Sequence, residues 1–83
     1  MSEVRVTAEA EAQLLALPFA IRSRWAGILA RLERWPDVSG AKPLRGALAG
    51  HFRLRTGDYR IQFRVAGGQV IVEKIGHRDG FYE

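Results

Sequence analysis

The spacing of apolar residues changes from a helical period in the first half of the chain to a strand period in the second half. Between Phe19 and Trp35 the larger apolar side chains recur every three or four positions, at Ile21, Trp25, Ile28, Leu32 and Trp35. This spacing places them on one face of a helix, which Pro36 closes. It therefore predicts a helix over Phe19–Trp35, with both tryptophans as core residues.

The N-terminal residues predict a short strand followed by another helix. Val4 to Val6 alternates apolar and polar side chains, and the hydroxyl of Thr7 can accept a hydrogen bond from the first turn of a helix. The Ala- and Leu-rich segment that follows predicts a helix over Ala8–Leu17, which stops at Pro18. Because only a residue or two separate the two predicted helices, we expect an antiparallel helical hairpin.

Alternation of apolar and polar residues in the second half predicts an antiparallel meander. It runs through His51–Arg55 and Tyr59–Val65, with the segment between them as a turn. After a Gly-Gly hairpin signal, the β-branched segment Val70–Ile75 predicts a third, centrally placed strand. The glycines and proline of Asp37–Gly50 predict an irregular connection rather than a strand.

Together these elements predict a single α+β domain over residues 1–83. An N-terminal strand and a two-helix antiparallel hairpin precede a C-terminal antiparallel β-meander. We expect three or four strands, with the first strand at an edge and the helices on one face. A chain of 83 residues, 47% of them hydrophobic, has room for one packed core. It has no cysteine, no apolar run long enough to span a membrane and no signal-peptide core, so we expect a cytoplasmic protein with no metal or other cofactor.

The net positive charge is concentrated in the predicted sheet. Residues 1–41 carry five arginines and five acidic residues, so all of the formal charge of +4 comes from residues 42–83. If the apolar residues of the two meander strands face the helices, a basic wall faces the other way, formed by His51, Arg53, Arg55, Arg60, Gln62 and Arg64. Like charges on neighbouring strands repel, which favours an anionic partner over a merely solvated face.

The remaining residue types are suited to cleaving RNA without a metal ion. The sequence has no glycine-rich phosphate loop, no His-Glu-x-x-His and no Gly-x-Ser-x-Gly motif, which excludes most enzyme classes. Cleavage by the ribose 2′-hydroxyl needs a base, an acid, and cations around the phosphorus. His77 or Tyr82 could be the acid or base, and Arg60 and Arg78 the cations. The other arginines of the wall stay protonated at neutral pH and would position phosphates.

Structural roles are the alternatives for several of these residues. His77 could form a hydrogen bond at a strand end, and His51 lies at a strand start, where structure alone explains it. Tyr82 could dock the C-terminus onto the sheet, since chain ends fray unless side chains hold them. The sequence leaves these interpretations open.

Three segments of the chain resemble the RelE/ParE superfamily of bacterial and archaeal type II toxins. They are Lys42 to Gly46, His51 to Ile61 and Ile75 to Tyr82, which contain Lys-Pro-Leu-Arg-Gly, Arg-Leu-Arg-Thr-Gly-Asp-Tyr-Arg and Gly-His-Arg. The order of strand, helices and meander is also the family's order, so the resemblance covers nearly the whole chain. It is closer to the RelE branch, ribosome-dependent endonucleases that cut mRNA in the decoding site, than to the ParE branch, which poisons DNA gyrase.

The resemblance implies roles for particular residues. Arg60 and Arg78 match arginines that face the scissile phosphate, and Tyr82 is similar to a C-terminal tyrosine that stacks on a base. The wall arginines of the first meander strand stand where RelE proteins often carry lysines, one of which is thought to act as the base. We expect RNA phosphates to bind at five basic residues, Lys42, Arg45, Arg53, Arg55 and Arg64.

The resemblance thus implies a type II toxin that cleaves mRNA on the ribosome to a 2′,3′-cyclic phosphate, without a metal ion. Two alternatives stay open, a gyrase inhibitor that catalyses nothing and a degenerate member that only binds its antitoxin. In every version the resemblance implies a cognate antitoxin that blocks the basic face, so we also expect a toxin–antitoxin hetero-oligomer. The enzyme would have the ribosome and mRNA as further partners.

Overall fold

The computed structural model describes residues 2–80 and has the expected α+β architecture. In chain order its elements are β1 (Glu3–Val6), α1 (Ala8–Leu15), α2 (Phe19–Arg22), α3 (Trp25–Leu32), β2 (Lys42–Pro43), β3 (His51–Thr56), β4 (Tyr59–Ala66) and β5 (Gln69–His77). Short 3-10 turns follow β2 at Gly46–Leu48 and β5 at Arg78–Gly80. The predicted order of strand, helices and meander is confirmed.

The strands form one sheet in the order β1-β5-β4-β3-β2. β1 pairs parallel to β5, and the other neighbours pair antiparallel. The first strand therefore lies at an edge, as expected, and β5 lies in the interior of the sheet. The described residues form five strands rather than three or four, because Lys42 and Pro43 pair with β3 inside the segment predicted to be irregular. A proline cannot donate to a ladder, which suits an edge strand this short.

The predicted second helix is divided into α2 and α3 by a turn at Ser23 and Arg24. The Ser23 hydroxyl donates to the Ala20 carbonyl at 2.9 Å, and the Arg24 N–H donates to the Ile21 carbonyl at 3.0 Å. A serine that bonds a carbonyl of the preceding turn competes with the helical backbone and bends the helix. None of the helices in residues 2–80 has the length and apolar character that crossing a membrane requires.

The core lies between the helices and one face of the sheet. Its buried side chains come from α1, α3 and the three long strands: Ala10, Ile28, Leu32, Leu54, Ile61, Phe63, Val70, Val72 and Ile75. Both tryptophans pack against this core, as predicted. Trp35 meets Phe52 and Phe63 with ring centroids 4.6 and 5.4 Å apart in edge-to-face contacts, the arrangement that aromatic rings prefer.

A β-bulge interrupts the pairing of β4 with β5. Gln62 lies opposite Lys74 and Phe63 lies opposite Val72, so Glu73 is an extra residue on β5. In a regular strand Val72 and Ile75 would point to opposite faces, but here both are buried in the core. The bulge thus keeps the apolar residues of β5 on the helical side despite two consecutive charged residues between them.

Residues of the α1 region complete the hydrogen bonding of β5 beyond the end of β1. β1 stops at Val6, opposite Val72, and the Thr7 N–H donates to the Val72 carbonyl at 3.0 Å. Further along, the Gln13 side-chain oxygen accepts a hydrogen bond of 2.8 Å from the Ile75 N–H. Gln13 therefore takes the place of a strand partner next to the bulge and ties α1 to the sheet.

We predict that Gln13→Ala lowers the free energy of unfolding by about 1–3 kcal/mol, because the Ile75 N–H loses its acceptor in a partly buried place. Urea denaturation measures the change. Leu15→Ala is the matched control on the same helix, since Leu15 is 63% exposed and its truncation should change stability by less than about 0.5 kcal/mol. Equal losses in the two variants would contradict this role for Gln13.

Candidate functional site

The sheet presents a row of cations on the side away from the helices, as the alternation predicted. Arg53 and Arg55 of β3 lie opposite Gln62 and Arg60 of β4, and Lys42 of β2 lies opposite Arg53. We use the name cationic face for six of the lysines and arginines that the register places on this side, those of β2 to β5: Lys42, Arg53, Arg55, Arg60, Arg64 and Lys74. They come from four neighbouring strands.

At one end of the cationic face two arginines repel each other, and in its middle the side chains are more buried. Arg55 and Arg60 are directly opposed, a placement that puts like charges on neighbouring strands close together and disfavours folding. In the middle, Gln62 lies between Arg53 and Lys74 in the register and is only 9% exposed. Arg53 Nε and Arg60 Nη1 are also buried, so parts of these guanidinium groups belong to the packed surface of the sheet.

An acidic residue joins the cationic face through the bulge. Glu73 Oε1 lies 2.6 Å from Nδ1 of His51, and Glu73 Oε2 lies 3.5 Å from Nε of Arg64. His51 is directly opposite Arg64 in the register, so the three side chains form one cluster across β3, β4 and β5. The carboxylate offsets part of the positive charge at this end of the face.

Arg78 lies at the other end of the sheet, beside the β3–β4 turn. Its N–H donates to the Asp58 carbonyl at 2.8 Å. Its guanidinium lies 3.5 Å from the Asp79 carboxylate and 4.0 Å from that of Asp58. These side chains are more than half exposed, and ion pairs in such places contribute little stability. An arriving phosphate can therefore compete for Arg78 at low cost.

His77 lies on the opposite side of the sheet from the cationic face. It is paired with Tyr59, and the two rings meet edge to face with centroids 5.2 Å apart. The Asp79 N–H donates to His77 Nδ1 at 3.2 Å, while the Asp79 carboxylate lies 3.4 Å from the same nitrogen. The first contact needs Nδ1 without a proton and the second needs Nδ1 with one, so Asp79 can contact either tautomer of the ring.

Two other predicted site residues lie apart from these groups or outside the described part of the chain. Arg45 is exposed in the loop after β2, next to Leu44, whose N–H donates to the His51 carbonyl at 2.9 Å. This contact places the loop at the His51 end of β3. Tyr82 lies outside the residues that the structure describes.

The sequence patterns alone assign no chemistry to His51, Glu73 or Lys74. His51 was expected to have a structural role only, and strict alternation along Val70–Ile75 would send Lys74 into the core. The available signal was the pair of charged residues between Val72 and Ile75, which breaks the period of two. Such a break is typical of a β-bulge, and bulges are frequent next to functional sites.

Comparison with known proteins identifies the family. Residues 4–80 match the family described as the ParE toxin of the type II toxin–antitoxin system parDE. A chain of the RelBE2 toxin–antitoxin complex from Mycobacterium tuberculosis has the same fold, with a TM-score of 0.81. The two chains are 34% identical, and the match covers 93% of this chain and 98% of that chain. The chain therefore belongs to the RelE/ParE superfamily of type II toxins. No curated protein matches it significantly.

More distant structures share the fold. The archaeal RelE–RelB complex from Pyrococcus horikoshii has 23% identity and a TM-score of 0.76, with coverage of 95% of this chain and 97% of that chain. The chromosomal ParDE system from P. aeruginosa has 16% identity and a TM-score of 0.75, with coverage of 93% and 96%. Both branches of the superfamily thus have the fold of this chain.

We predict that Arg55→Thr stabilises the protein, because it removes one of two directly opposed like charges and threonine suits a strand. The expected gain is about 0.2–1 kcal/mol at low ionic strength, and added salt should reduce it. Thermal unfolding at two salt concentrations measures both effects. Arg45→Thr, an exposed change in a loop, is the control and should show no comparable gain. A gain at Arg55 that persists in high salt would show that charge repulsion is not its cause.

Proposed function

We propose that this toxin is a ribosome-dependent endonuclease that cleaves mRNA by metal-independent transesterification. The cationic face is the observation that carries the proposal. It opposes Arg55 to Arg60 at one end, an arrangement that costs stability unless an anion neutralises it. Cations on four adjacent strands can contact several phosphates of a polyanionic backbone. Because the targets would be ribosomes and mRNA, the activity would be cytoplasmic.

In this proposal the residues divide into two groups by role. Arg60 and Arg78 stabilise the negative charge that develops on the phosphate as the 2′-oxygen attacks. Lys42, Arg45, Arg53, Arg55 and Arg64 hold neighbouring phosphates of the mRNA. His77 and Tyr82 are the candidates for the acid that protonates the 5′-oxygen. Because His77 lies on the other side of the sheet from the cationic face, it would have to act from the end of β5, next to Arg78. None of the arginines suits the role of base, because a guanidinium stays protonated at neutral pH.

Inhibition of DNA gyrase is the second candidate function. One observation favours it, since the family that matches residues 4–80 is described as the ParE toxin. A gyrase inhibitor needs a protein-binding surface and no acid or base. The cationic face would then bind gyrase or its DNA without cleaving either.

We also propose a cognate antitoxin as the partner of this toxin. The M. tuberculosis and P. horikoshii relatives were solved as toxin–antitoxin complexes. An acidic antitoxin segment would neutralise the cationic face and block access of RNA to it.

We predict that the purified protein cuts mRNA on ribosomes programmed with a defined message and leaves gyrase supercoiling unaffected. The new ends should be a 2′,3′-cyclic phosphate and a 5′-hydroxyl, because the 2′-oxygen is the nucleophile. Gel mapping and end-group analysis measure the first result, and a supercoiling assay measures the second. Intact mRNA together with inhibited supercoiling would favour the gyrase function instead. If neither target responds, the toxin is a degenerate member.

We predict that Arg60→Ala and Arg78→Ala each slow single-turnover cleavage by about 100-fold, the usual effect of losing one preorganised donor. Their affinity for ribosomes should change less. Arg53→Ala and Arg55→Ala should instead weaken binding in a salt-dependent way, since a phosphate contact acts through counterion release. Quench-flow kinetics and binding at several salt concentrations separate the two groups. If all four variants lose only binding, the division of roles is wrong.

The role of His77 is tested by His77→Ala in the same assay. Slower cleavage with a flattened pH profile would support acid catalysis. Unchanged cleavage with lower thermal stability would assign His77 to holding the end of β5 against Tyr59.

We predict that expression of the toxin alone arrests growth and that co-expression of the small acidic protein encoded beside it restores growth. A purified complex should unfold at a higher temperature than the toxin, because binding to the folded state stabilises it. Colony counts and thermal unfolding measure the two effects. Normal growth at confirmed soluble expression would contradict toxin activity in the cell.

A further inference from the structure

A carboxylate and an imidazole form a close pair on the cationic side of the sheet. His51 Nδ1 and Glu73 Oε1 are 2.6 Å apart, and the two side chains are 23% and 26% exposed. Arg64 Nε lies 3.5 Å from the other carboxylate oxygen. Partial burial and contacts on both oxygens hold the carboxylate more firmly than a surface ion pair would.

The contact determines which nitrogen of His51 is available for chemistry. An ionised carboxylate can only accept a hydrogen bond, so the proton of the pair lies on Nδ1 of the imidazole. Nε2 of the neutral ring then has a free lone pair, which makes it a proton acceptor. A carboxylate that orients a histidine and stabilises its charged form is the arrangement found behind the general base of serine hydrolases.

The position of His51 suits the geometry of attack by a 2′-hydroxyl. In-line displacement puts the attacking and leaving oxygens on opposite sides of the phosphorus, so the base and the leaving-group acid belong at opposite ends of a site. His51 is paired with Arg64 at one end of β3, and Arg55 is paired with Arg60 at the other end, four residues along. The two ends are about 13 Å apart at ~3.3 Å per residue.

The middle of the face has cations that can hold the RNA around the reacting phosphate. Arg53 lies midway between the two ends, opposite Gln62, with Lys42 and Lys74 on the strands to either side. A reacting phosphate bound between Arg53 and Arg60 would have His51 on one side. On its other side would lie Arg60 and the C-terminal turn, which carries Arg78. This order along the strand is the one that in-line attack requires.

We infer that His51, held by Glu73, is the general base of the cleavage reaction, an assignment that rests on the proposed function. His51 Nε2 takes the proton of the 2′-hydroxyl while the 2′-oxygen bonds to phosphorus. The bond from phosphorus to the 5′-oxygen breaks, and that oxygen takes a proton from solvent, to which His51 later returns the proton that it took. The products are the cyclic phosphate and a 5′-hydroxyl, with no water consumed. Glu73 touches the imidazole and not the substrate, so it is a positioning residue.

The charged groups around His51 come from three strands and a loop. Glu73 faces it from β5, Arg64 from β4, Arg53 lies two residues along its own strand, and Arg45 lies in the loop beside Leu44. Of these groups, Glu73 is the one in direct contact with the imidazole, so replacing it changes the surroundings of the ring most directly.

The experiment is single-turnover cleavage of mRNA on programmed ribosomes by the wild type, His51→Ala, Glu73→Gln and Glu33→Gln. We expect about a 100-fold loss of rate for His51→Ala, the usual size for losing a general base, with ribosome affinity changed less than about twofold. Free imidazole should restore part of that rate. Glu73→Gln should lose about tenfold or more and show a shifted pH profile, since the amide no longer imposes one tautomer. Glu33→Gln changes an exposed carboxylate at the C-terminal end of α3, outside the cluster around His51, and should cleave like the wild type.

The outcomes separate the base assignment from the proposed function. If the wild type cleaves mRNA and His51→Ala cleaves it at the same rate, the base assignment is overturned and the proposed function stands. A slower His51→Ala enzyme that imidazole does not restore, together with lower thermal stability, also overturns it in favour of a structural role. If the wild type cleaves nothing on ribosomes, the proposed function fails and the base assignment fails with it. Glu73→Gln keeps the shape of the side chain, so its pH profile remains informative even if His51→Ala folds poorly.

Discussion

The β-bulge at Glu73 is the constraint on which both the core and the candidate site depend. β5 must supply Val70, Val72 and Ile75 to the core and also present charged groups on the opposite side. A regular strand cannot do both with two consecutive charged residues in its middle. Because of the single extra residue, Val72 and Ile75 both face the core. The bulge also brings the Glu73 carboxylate to Arg64 on β4 and His51 on β3. A regular strand that kept both charged residues would turn Ile75 out of the core.

The cationic face illustrates a conflict between stability and function. Opposed arginines at Arg55 and Arg60 weaken the free protein, while Glu73 relieves the repulsion only at the other end of the face. The acidic side chains are likewise unevenly placed: Glu73 lies against His51 and Arg64, and the exposed carboxylates of Asp58 and Asp79 lie near Arg78. A partner that brings negative charge to the opposed arginines would stabilise the folded protein.

Local sequence patterns predicted the fold well, because the spacing of apolar residues and the residues that end helices and strands are local properties of the sequence. The alternation over His51–Arg55 and Tyr59–Val65 was sufficient to separate core residues from the cationic face. Local patterns do not contain the contacts that determine three other features. These are the break in the helix at Ser23, the pairing of Lys42 and Pro43 with β3, and the bulge in β5. The same holds for the site. The arginines could be read from alternation, but the contact of His51 with Glu73 joins residues 22 positions apart across an intervening strand.

The parallel pairing of β1 with β5 affects how the toxin folds during its synthesis. The first strand of the chain finds its place only beside the last one, and contacts such as Thr7 with Glu73 close a loop of 66 residues. Closing long loops is slow compared with forming hairpins, so the β3–β4–β5 meander can assemble before β1 joins it. During synthesis the sheet therefore stays open at one edge until β5 has emerged from the ribosome. A nascent toxin would acquire its five-stranded sheet only after β5 has been translated.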